Sequence, residues 1–499
     1  MASSVLLRTA RRTRVPVLAL FIVVFPTACG ADSHTGAAGD ASVGGAGSGG
    51  APGSGGGASA SSGGASEGGR ASSSGGATAS GAGGATGMSG GGGAVNGSSG
   101  ANPGSGGAVN GSGGANPASG GAVNGSGGAG GGNGGAGNTG GANVGGAPSL
   151  VNPAPGSKFF VGANFWNIDW EGQDDFFVSN VDFKTTTSPW KPEFLSDLSP
   201  YHVLRFMDWN QTNDSNNPQA VWSTRKQKTA AQNEPVAFEW QIDLCNRTKK
   251  DYWLNIPHEA NADYWSKLAT LVHDELDPSL RVYLEWSNEV WNGSFPQNAY
   301  AASQAKAMNL AGSNAAASFY VYSAVRVYEA FEAVFGKGNP RLVKVLAGQA
   351  AWTGPCDAQM VALADAAINP KHTQPTAYAV APYFGGTTTA ELTSALPTAN
   401  QWTTDSGKCA AGGKLPLISY EGGSDSFAAG SGCTTIQHDG AMHDIYMSYL
   451  TGISGAGLTG PFMQYTHTGA CWGLKEKTTD ALGVSPKYKG LLDWLAAHP

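Results

Sequence analysis

The pattern of apolar and polar residues changes sharply near residue 150. Beyond Pro155, eight short apolar runs alternate with longer stretches of helical composition. The apolar runs cover residues 159–165, 202–207, 252–257, 281–286, 342–347, 377–382, 415–420 and 458–464. Helical composition is clearest over residues 262–275, 297–335, 358–367 and 440–449. Continuous apolar strands that alternate with helices predict a parallel sheet buried on both faces.

The number of repeats favours a closed sheet. Eight strand-helix units within about 340 residues indicate a (β/α)8 TIM barrel, which we place at residues 151–499. A doubly wound open sheet is the alternative. No Gly-x-Gly-x-x-Gly follows the first apolar run, so the sequence does not indicate a nucleotide site.

The segment before the predicted barrel has a different composition. Residues 36–148 contain no Phe, Trp or Tyr, and their charged side chains are Asp40, Glu67 and Arg70. Almost all the other residues are Gly, Ala or Ser, which cannot bury enough apolar surface to offset the entropy of ordering. We therefore expect residues 30–150 to form a disordered linker rich in Gly, Ala and Ser.

Residues 1–29 have the pattern of an export signal. Four arginines precede an apolar segment at residues 17–25, which is too short to span a bilayer. Thr27-Ala28-Cys29 resembles a bacterial lipobox, in which the cysteine is lipidated after cleavage. This resemblance implies an outer-membrane or cell-surface lipoprotein attached through Cys29. Plain secretion is the alternative.

Charge and composition limit the classes of molecule that the barrel is expected to bind. The formal net charge is −7, charged residues are 13% of the chain, and no basic run occurs after residue 14. A nucleic-acid partner is therefore not expected, and a neutral substrate suits this balance better. We expect a monomer whose only membrane contact is the N-terminal lipid.

Five cysteines follow Cys29, so at most two disulfides can form. Cys245 lies among apolar residues of helical composition and is the candidate free thiol. Cys433 and Cys471 lie in the loops after the seventh and eighth runs, which are neighbours in a closed barrel. We predict that these two cysteines pair.

Two glutamates stand at the ends of predicted strands. In a TIM barrel, functional residues gather at the carboxyl ends of the strands. Glu289 follows the fourth run and Glu421 follows the seventh, which places them on facing walls of the barrel mouth. Cleavage of a glycosidic bond needs two carboxyl groups across the scissile bond. An isolated Glu is usually a solvated loop residue, but the pair at these two ends favours catalysis.

The fourth strand end also carries a family resemblance. The segment Leu284-Glu285-Trp286-Ser287-Asn288-Glu289 resembles the Tyr-Glu-x-x-Asn-Glu-Pro signature of the clan A glycoside hydrolases, most closely their family-five branch. The resemblance implies a mechanism that retains the anomeric configuration, with Glu289 as acid/base and Glu421 as nucleophile. The sequence has no His-Glu-x-x-His or similar motif that would require a metal, and we expect no cofactor.

The same resemblance implies substrate-binding roles for four more residues. Asn288 would bond the sugar 2-hydroxyl, and Arg205 would hold the nucleophile ionised. His258 would line the subsite, and Tyr383 would touch the nucleophile. Arg205 beside Glu421 would lower the pKa of that carboxyl, whereas burial would keep Glu289 protonated.

Tryptophans supply the remaining candidates. Sugar rings have apolar C–H faces that flat indole rings match, so Trp166 and Trp472 at strand ends are predicted to bind substrate. Trp253, Trp286 and Trp494 are expected in the core, and Glu285 is expected to be structural. The sequence therefore predicts a retaining glycoside hydrolase of β-linked polysaccharide. A surface carbohydrate-binding barrel without catalysis is the alternative, but it would not need both Glu289 and Glu421.

Overall fold

The computed structural model describes residues 149–165, 173–231, 235–310, 312 and 314–499. The predicted export signal, nearly all of the predicted linker, Cys29 and Trp166 lie outside these residues.

Eight parallel strands form the centre of the fold. In chain order they are Val161–Asn164, Val203–Arg205, Asp251–Ile256, Val282–Trp286, Leu342–Ala347, Ala377–Val380, Leu417–Ser419 and Phe462–Gln464. Each of the first six strands pairs in parallel with the next, and the eighth pairs with the first. All eight strands lie within the predicted apolar runs or within one residue of them.

The seventh and eighth strands close the sheet. Ser419 N donates to Pro461 O at 3.0 Å, and Thr459 N donates to Leu417 O at 2.9 Å. Helices surround the strands, so the domain is a (β/α)8 TIM barrel, as predicted. The doubly wound alternative is wrong.

The helices lie between the strands and after the last one. Those of at least eight residues are Phe238–Thr248, Ala262–Glu275, Pro296–Ala307, Ala315–Phe335, Gly354–Ala364, Thr389–Gly412, Ala441–Gly455 and Pro486–Ala497. Shorter helices are Gln173–Phe176, Pro192–Asp197 and Cys433–His438. Within the described residues, no helix is long and apolar enough to cross a membrane.

Two helical regions differ from the sequence pattern. Residues 297–335 form two helices, because Asn309 (φ 51°) and Gly312 (φ 127°) have left-handed backbone conformations that end the first helix. Thr389–Gly412 is a 24-residue helix that the pattern did not predict. Its many Thr, Ser and Gly residues and an internal Pro397 hide the helical period, although the Thr388 side chain caps its first turn by accepting from Glu391 N.

Alternation along the strands separates two apolar cores. Side chains that point into the barrel include Trp253 and Tyr283, whose rings stack with centroids 5.1 Å apart. Side chains that point outward pack against the helices, and Trp286 meets Phe319 there. Trp253, Trp286 and Trp494 are all buried, so their predicted core positions are confirmed.

The cysteines follow the predicted pattern. Cys433 pairs with Cys471, Cys356 pairs with Cys409, and Cys245 is a buried free thiol. The Cys433–Cys471 prediction is therefore confirmed.

Candidate active site

Glu289 lies three residues beyond the fourth strand, Val282–Trp286. Tyr283 and Glu285 of that strand point into the barrel, and the chain then turns out of the strand. Ser287 and Glu289 have positive φ angles of 63° and 41°. Such angles are costly for residues with a side chain and occur often at functional sites. The turn directs a glutamate that is 3% exposed to the barrel mouth.

Glu421 directly follows the residue after the seventh strand, and two glycines come next. A β-carbon on Gly422 would lie 2.7 Å from Cε2 of Phe462, and one on Gly423 would lie 2.7 Å from Nε2 of Gln464. Gly423 also has a φ of 131°, which disfavours other residues. The Glu-Gly-Gly sequence therefore lets the chain pass close to the eighth strand, and this path fixes the position of Glu421.

The carboxylate of Glu421 accepts two hydrogen bonds. Arg205 Nη1 donates to Oε1 at 2.7 Å, and Tyr383 Oη donates to Oε2 at 2.9 Å. Both contacts agree with the roles implied by the family resemblance. One donor is a buried cation, so this carboxylate has a charged partner.

Arg205 is itself held by several acceptors. Its Nη2 donates to Oε2 of Glu285 at 3.0 Å and to Oδ1 of Asn288 at 2.8 Å. Its Nη1 also donates to Oδ1 of Asn164 at 2.9 Å. The guanidinium is fully buried, so these bonds compensate for the water it has lost. The predicted residues Arg205, Asn288, Tyr383 and Glu421 thus form one connected network.

Glu285 belongs to this network as a support. Besides Arg205, Trp253 Nε1 donates to its Oε2 at 2.8 Å, and Asn255 Nδ2 donates to the same oxygen at 2.9 Å. Its side chain is 1% exposed, below the barrel mouth. The expectation that Glu285 is structural agrees with these contacts.

Glu289 has a different set of partners. Tyr420 Oη donates to its Oε1 at 2.9 Å, and Asn292 Nδ2 donates to its Oε2 at 3.0 Å. Both donors are neutral. Among the described residues, no Arg or Lys forms an ion pair with Glu289.

These surroundings shift the pKa of each of the two carboxyl groups. Burial, and then the negative charge of Glu421, raise the pKa of Glu289 to about 8. Burial also raises the pKa of Glu421, whereas Arg205 and Tyr383 lower it. The sequence predicted a net lowering by Arg205; that effect is present, but desolvation of the buried carboxyl outweighs it. Glu421 is nevertheless the carboxyl with a cation beside it, and Glu289 is the one without.

Asp208 is a further carboxyl group beside the site, and the sequence pattern predicted no role for it. Tyr465 Oη donates to its Oδ2 at 3.2 Å. Burial, and then the charge of Glu421, raise the pKa of Asp208 to about 7. Its position three residues after Arg205, at the end of the second strand, is the signal that marks it. Tyr420 and Asn292 were also missed, since nothing in their spacing indicates contact with Glu289.

Tyr383 belongs to a group of aromatic side chains in contact with one another. The rings of Tyr383 and Tyr465 lie 6.2 Å apart, and Trp472 lies 6.1 Å from Tyr465. Phe427 stacks on Trp472 with centroids 5.0 Å apart and planes 8° apart. Trp472 is therefore part of a packed cluster beside the site, and the Cys433–Cys471 disulfide joins the chain next to it.

His258 does not join the two carboxylates. Its ring packs against Tyr300 at 5.1 Å, and it is hydrogen-bonded to the backbone of Thr212. Burial lowers its pKa, so it is neutral near pH 7. Within the described part of the chain, the structure links His258 to neither Glu289 nor Glu421. Trp166 lies outside the described residues.

The chemistry available to the site is therefore that of carboxyl groups and phenols. No cluster of three or more His, Cys, Asp and Glu that could hold a metal ion occurs among the residues described. One carboxyl without a charged partner and one beside an arginine can act as a proton donor and as a nucleophile, respectively.

Comparisons with known proteins found solved structures of low sequence identity. No family model matches the chain, and no curated protein matches it. A 4-O-α-L-rhamnosyl-β-D-glucuronidase from Fusarium oxysporum 12S is 17% identical over 70% of this chain and 72% of its own, with a TM-score of 0.42. A family 51 arabinofuranosidase from Xanthomonas axonopodis pv. citri is 10% identical over 65% and 71%, with a TM-score of 0.40.

A family 26 endo-β-1,4-mannanase catalytic domain from Bacillus sp. JAMB-750 is 12% identical over 68% of this chain and 86% of its own, with a TM-score of 0.44. The arabinofuranosidase and the mannanase belong to glycoside hydrolase families 51 and 26, respectively. They do not single out the family-five branch that the strand-four motif resembles.

Proposed function

We propose that this protein is a retaining glycoside hydrolase that cleaves β-linked polysaccharide or oligosaccharide by double displacement. One observation carries the proposal. Two buried glutamates at the mouth of one barrel have opposite surroundings, one with a cation and one with neutral donors only. Double displacement requires such a difference, because one carboxyl must attack while the other donates a proton.

In the first step, an ionised oxygen of Glu421 attacks the anomeric carbon. The bond from that carbon to the leaving oxygen breaks, and the proton of Glu289 passes to the leaving oxygen. Arg205 balances the charge of Glu421 before attack, and Tyr383 directs its second oxygen. Asn288, whose Oδ1 accepts from Arg205, would bond a sugar hydroxyl.

In the second step, Glu289 takes a proton from water while the water oxygen attacks the anomeric carbon. The ester bond to Glu421 breaks, and Glu421 leaves as a carboxylate. The raised pKa of Glu289 suits both steps, since a group with a pKa near the working pH can give and then take a proton.

The substrate class is tested by measuring release of reducing sugar. Wild-type protein and the Glu421→Gln variant are incubated with β-glucan, mannan and arabinoxylan. We expect release from at least one polymer by the wild type and none above background by the variant. Equal release by both proteins, or none by the wild type from any polymer or aryl glycoside, would overturn the proposal.

We further propose that residues 1–29 direct export, that Cys29 carries a lipid, and that residues 30–150 act only as a tether. A Cys29→Ser variant should move from the membrane fraction to the soluble fraction. A chain that begins at Asn152 should keep the melting temperature and activity of the full chain. A soluble wild type would favour plain secretion, and a large fall in melting temperature would contradict the tether assignment.

A further inference from the structure

Trp352, in the loop after the fifth strand, is unusually exposed. Its side chain is 61% accessible, and it is the one exposed aromatic residue in the part of the chain that the structure describes. None of the catalytic groups described above lines the depression that adjoins it. Its exposure leaves the indole ring accessible to a ligand at the surface.

The ring has a fixed position on one side. A β-carbon on Gly354 would lie 2.2 Å from Cζ2 and 2.7 Å from Nε1 of Trp352, so the indole lies directly against the backbone of this glycine. Gly354 is the first residue of the helix Gly354–Ala364. Because Gly354 has no side chain, the indole ring can lie against its backbone. The rest of the ring is largely accessible to solvent.

A surface depression of about 520 Å³ adjoins the ring. The helix Thr389–Gly412 contributes Trp402, Asp405 and Lys408 to its lining, at spacings of three residues that place them on one helix face. Asp357 lines the other side. The depression therefore combines two indole rings with carboxylate acceptors and an ammonium donor.

The two sides of the depression are joined covalently. The Cys356–Cys409 disulfide connects the helix Gly354–Ala364 to the helix Thr389–Gly412. Ser406 Oγ also donates to Ala350 O at 3.4 Å, close to Trp352 in the chain. The rings and polar groups are thus held on a rigid surface, as a binding site requires.

We propose that Trp352 and Trp402, with Asp357, Asp405 and Lys408, form a second carbohydrate-binding surface, separate from the catalytic carboxylates, for a chain of pyranose rings. The choice of ligand rests on the proposed function. The surface would hold the polymer that the barrel hydrolyses, and so keep the enzyme on its substrate between cleavages.

The chemistry of the surface favours a sugar over a protein partner. Indole faces match the C–H faces of pyranose rings, and carboxylates and ammonium groups bond to hydroxyls. Stable protein interfaces instead have an apolar core within about 800 Å² per partner. Here Asp357, Asp405 and Lys408 line the depression together with the two rings.

The test is native gel electrophoresis with a soluble polysaccharide in the gel. Hydroxyethylcellulose, konjac glucomannan and wheat arabinoxylan are used separately, and every protein carries Glu421→Gln so that the polymer is not consumed. Trp352→Ala should weaken the retardation about 3- to 10-fold in at least one polymer, the range expected for one aromatic contact. Leu482→Ala removes an exposed apolar residue outside the depression and should change nothing.

Two further variants test separately whether binding needs an aromatic ring at position 352 and whether it needs that ring in its present position. Trp352→Phe keeps a flat ring and should retain most of the retardation. Gly354→Ala keeps the indole but displaces it, and should lose part of the retardation while the melting temperature stays near that of the wild type. Unchanged retardation in Trp352→Ala, or no retardation of the wild-type surface in any polymer, would overturn the inference. Retardation that depends on Trp352 in a protein that hydrolyses nothing would leave this surface standing and remove the proposed function.

Discussion

A glutamate follows each of the fourth and seventh strands, and the two glutamates have different surroundings. At the seventh strand, Glu421 accepts from the buried cation Arg205 and from Tyr383. At the fourth strand, Glu289 accepts from the neutral groups of Tyr420 and Asn292 and has a backbone φ of 41°. Both residues are 3% exposed, so a difference in burial does not explain the difference in their surroundings.

The difference teaches that neighbouring charge divides the roles here. Desolvation raises the pKa of both carboxyls, and the charge of Arg205 opposes it at both, but only Glu421 accepts a hydrogen bond from that arginine. Ionised Glu421 then adds its own charge to the effect on Glu289. The two groups interact strongly enough that ionisation of one disfavours ionisation of the other. An ionised Glu421 beside a protonated Glu289 is the state that the first catalytic step needs.

The largest effect is expected on removing the carboxyl with the charged partner. Glu421→Ala deletes the atom that would bond to the sugar, and no neighbouring group can replace it. We expect kcat to fall by about 10⁴- to 10⁶-fold, in the range measured for other covalent catalysts. Binding of substrate, measured by calorimetry, should change little. A loss of less than 10-fold would show that Glu421 is not the nucleophile.

A smaller effect that depends on the substrate is expected at the other strand end. Glu289→Ala removes the proton donor, so polysaccharide hydrolysis should fall about 10²- to 10⁴-fold. An aryl glycoside with a dinitrophenyl leaving group needs no proton, so its first step should be nearly unaffected. The measurement is the burst of released phenol, followed by slow turnover. An equal loss for both substrates would contradict the assignment of Glu289 as acid.

The pH profile gives a subtler test of the same comparison. Glu289 must be protonated to act as an acid, so kcat/KM should fall as pH rises through about 8. Glu421 must be ionised to attack, so kcat/KM should also fall at acidic pH, below the raised pKa of that carboxyl. Glu289→Gln should abolish the alkaline limb. Retention of this limb in the variant would assign it to another group.

The two tyrosines offer a matched pair with the smallest expected effects. Each phenol donates to a carboxylate and so favours its charged form. Tyr420→Phe should therefore move the alkaline limb to higher pH, and Tyr383→Phe should move the acidic limb to higher pH. Shifts of about 0.5 to 1 pH unit are expected from the loss of one hydrogen bond. If both variants moved the same limb, the two strand ends would not be separate.

The barrel was predictable because its strands are buried on both faces. Strands of this kind appear in the sequence as continuous apolar runs. The long helix Thr389–Gly412 was not predictable, since a polar surface helix with an internal Pro397 lacks a strong apolar period. Chain position gave Glu289 and Glu421, because strand ends converge in any closed parallel barrel. Whether the backbone turns to aim a side chain, as it does at Glu289, depends on local angles that composition does not encode.

Contacts across the barrel mouth were only partly predictable. Arg205 and Tyr383 were identified through a family resemblance, and both contact Glu421. His258 was identified in the same way, yet it packs against Tyr300 instead. Asp208 and Tyr420 were missed because their partners, Tyr465 and Glu289, are far from them in the sequence. The spacing of residues along the chain does not indicate which side chains meet across the barrel mouth.

The most direct test of the division of roles is the configuration of the glycosyl azide formed by each alanine variant. Azide can take the place of the missing carboxylate, on the face of the sugar where that carboxylate acted. With a dinitrophenyl β-glycoside as substrate, Glu289→Ala should give the β-glycosyl azide, by attack on the ester formed with Glu421. Glu421→Ala should give the α-glycosyl azide, by direct displacement. The account is contradicted if proton NMR shows the reverse assignment, or the same anomer from both variants.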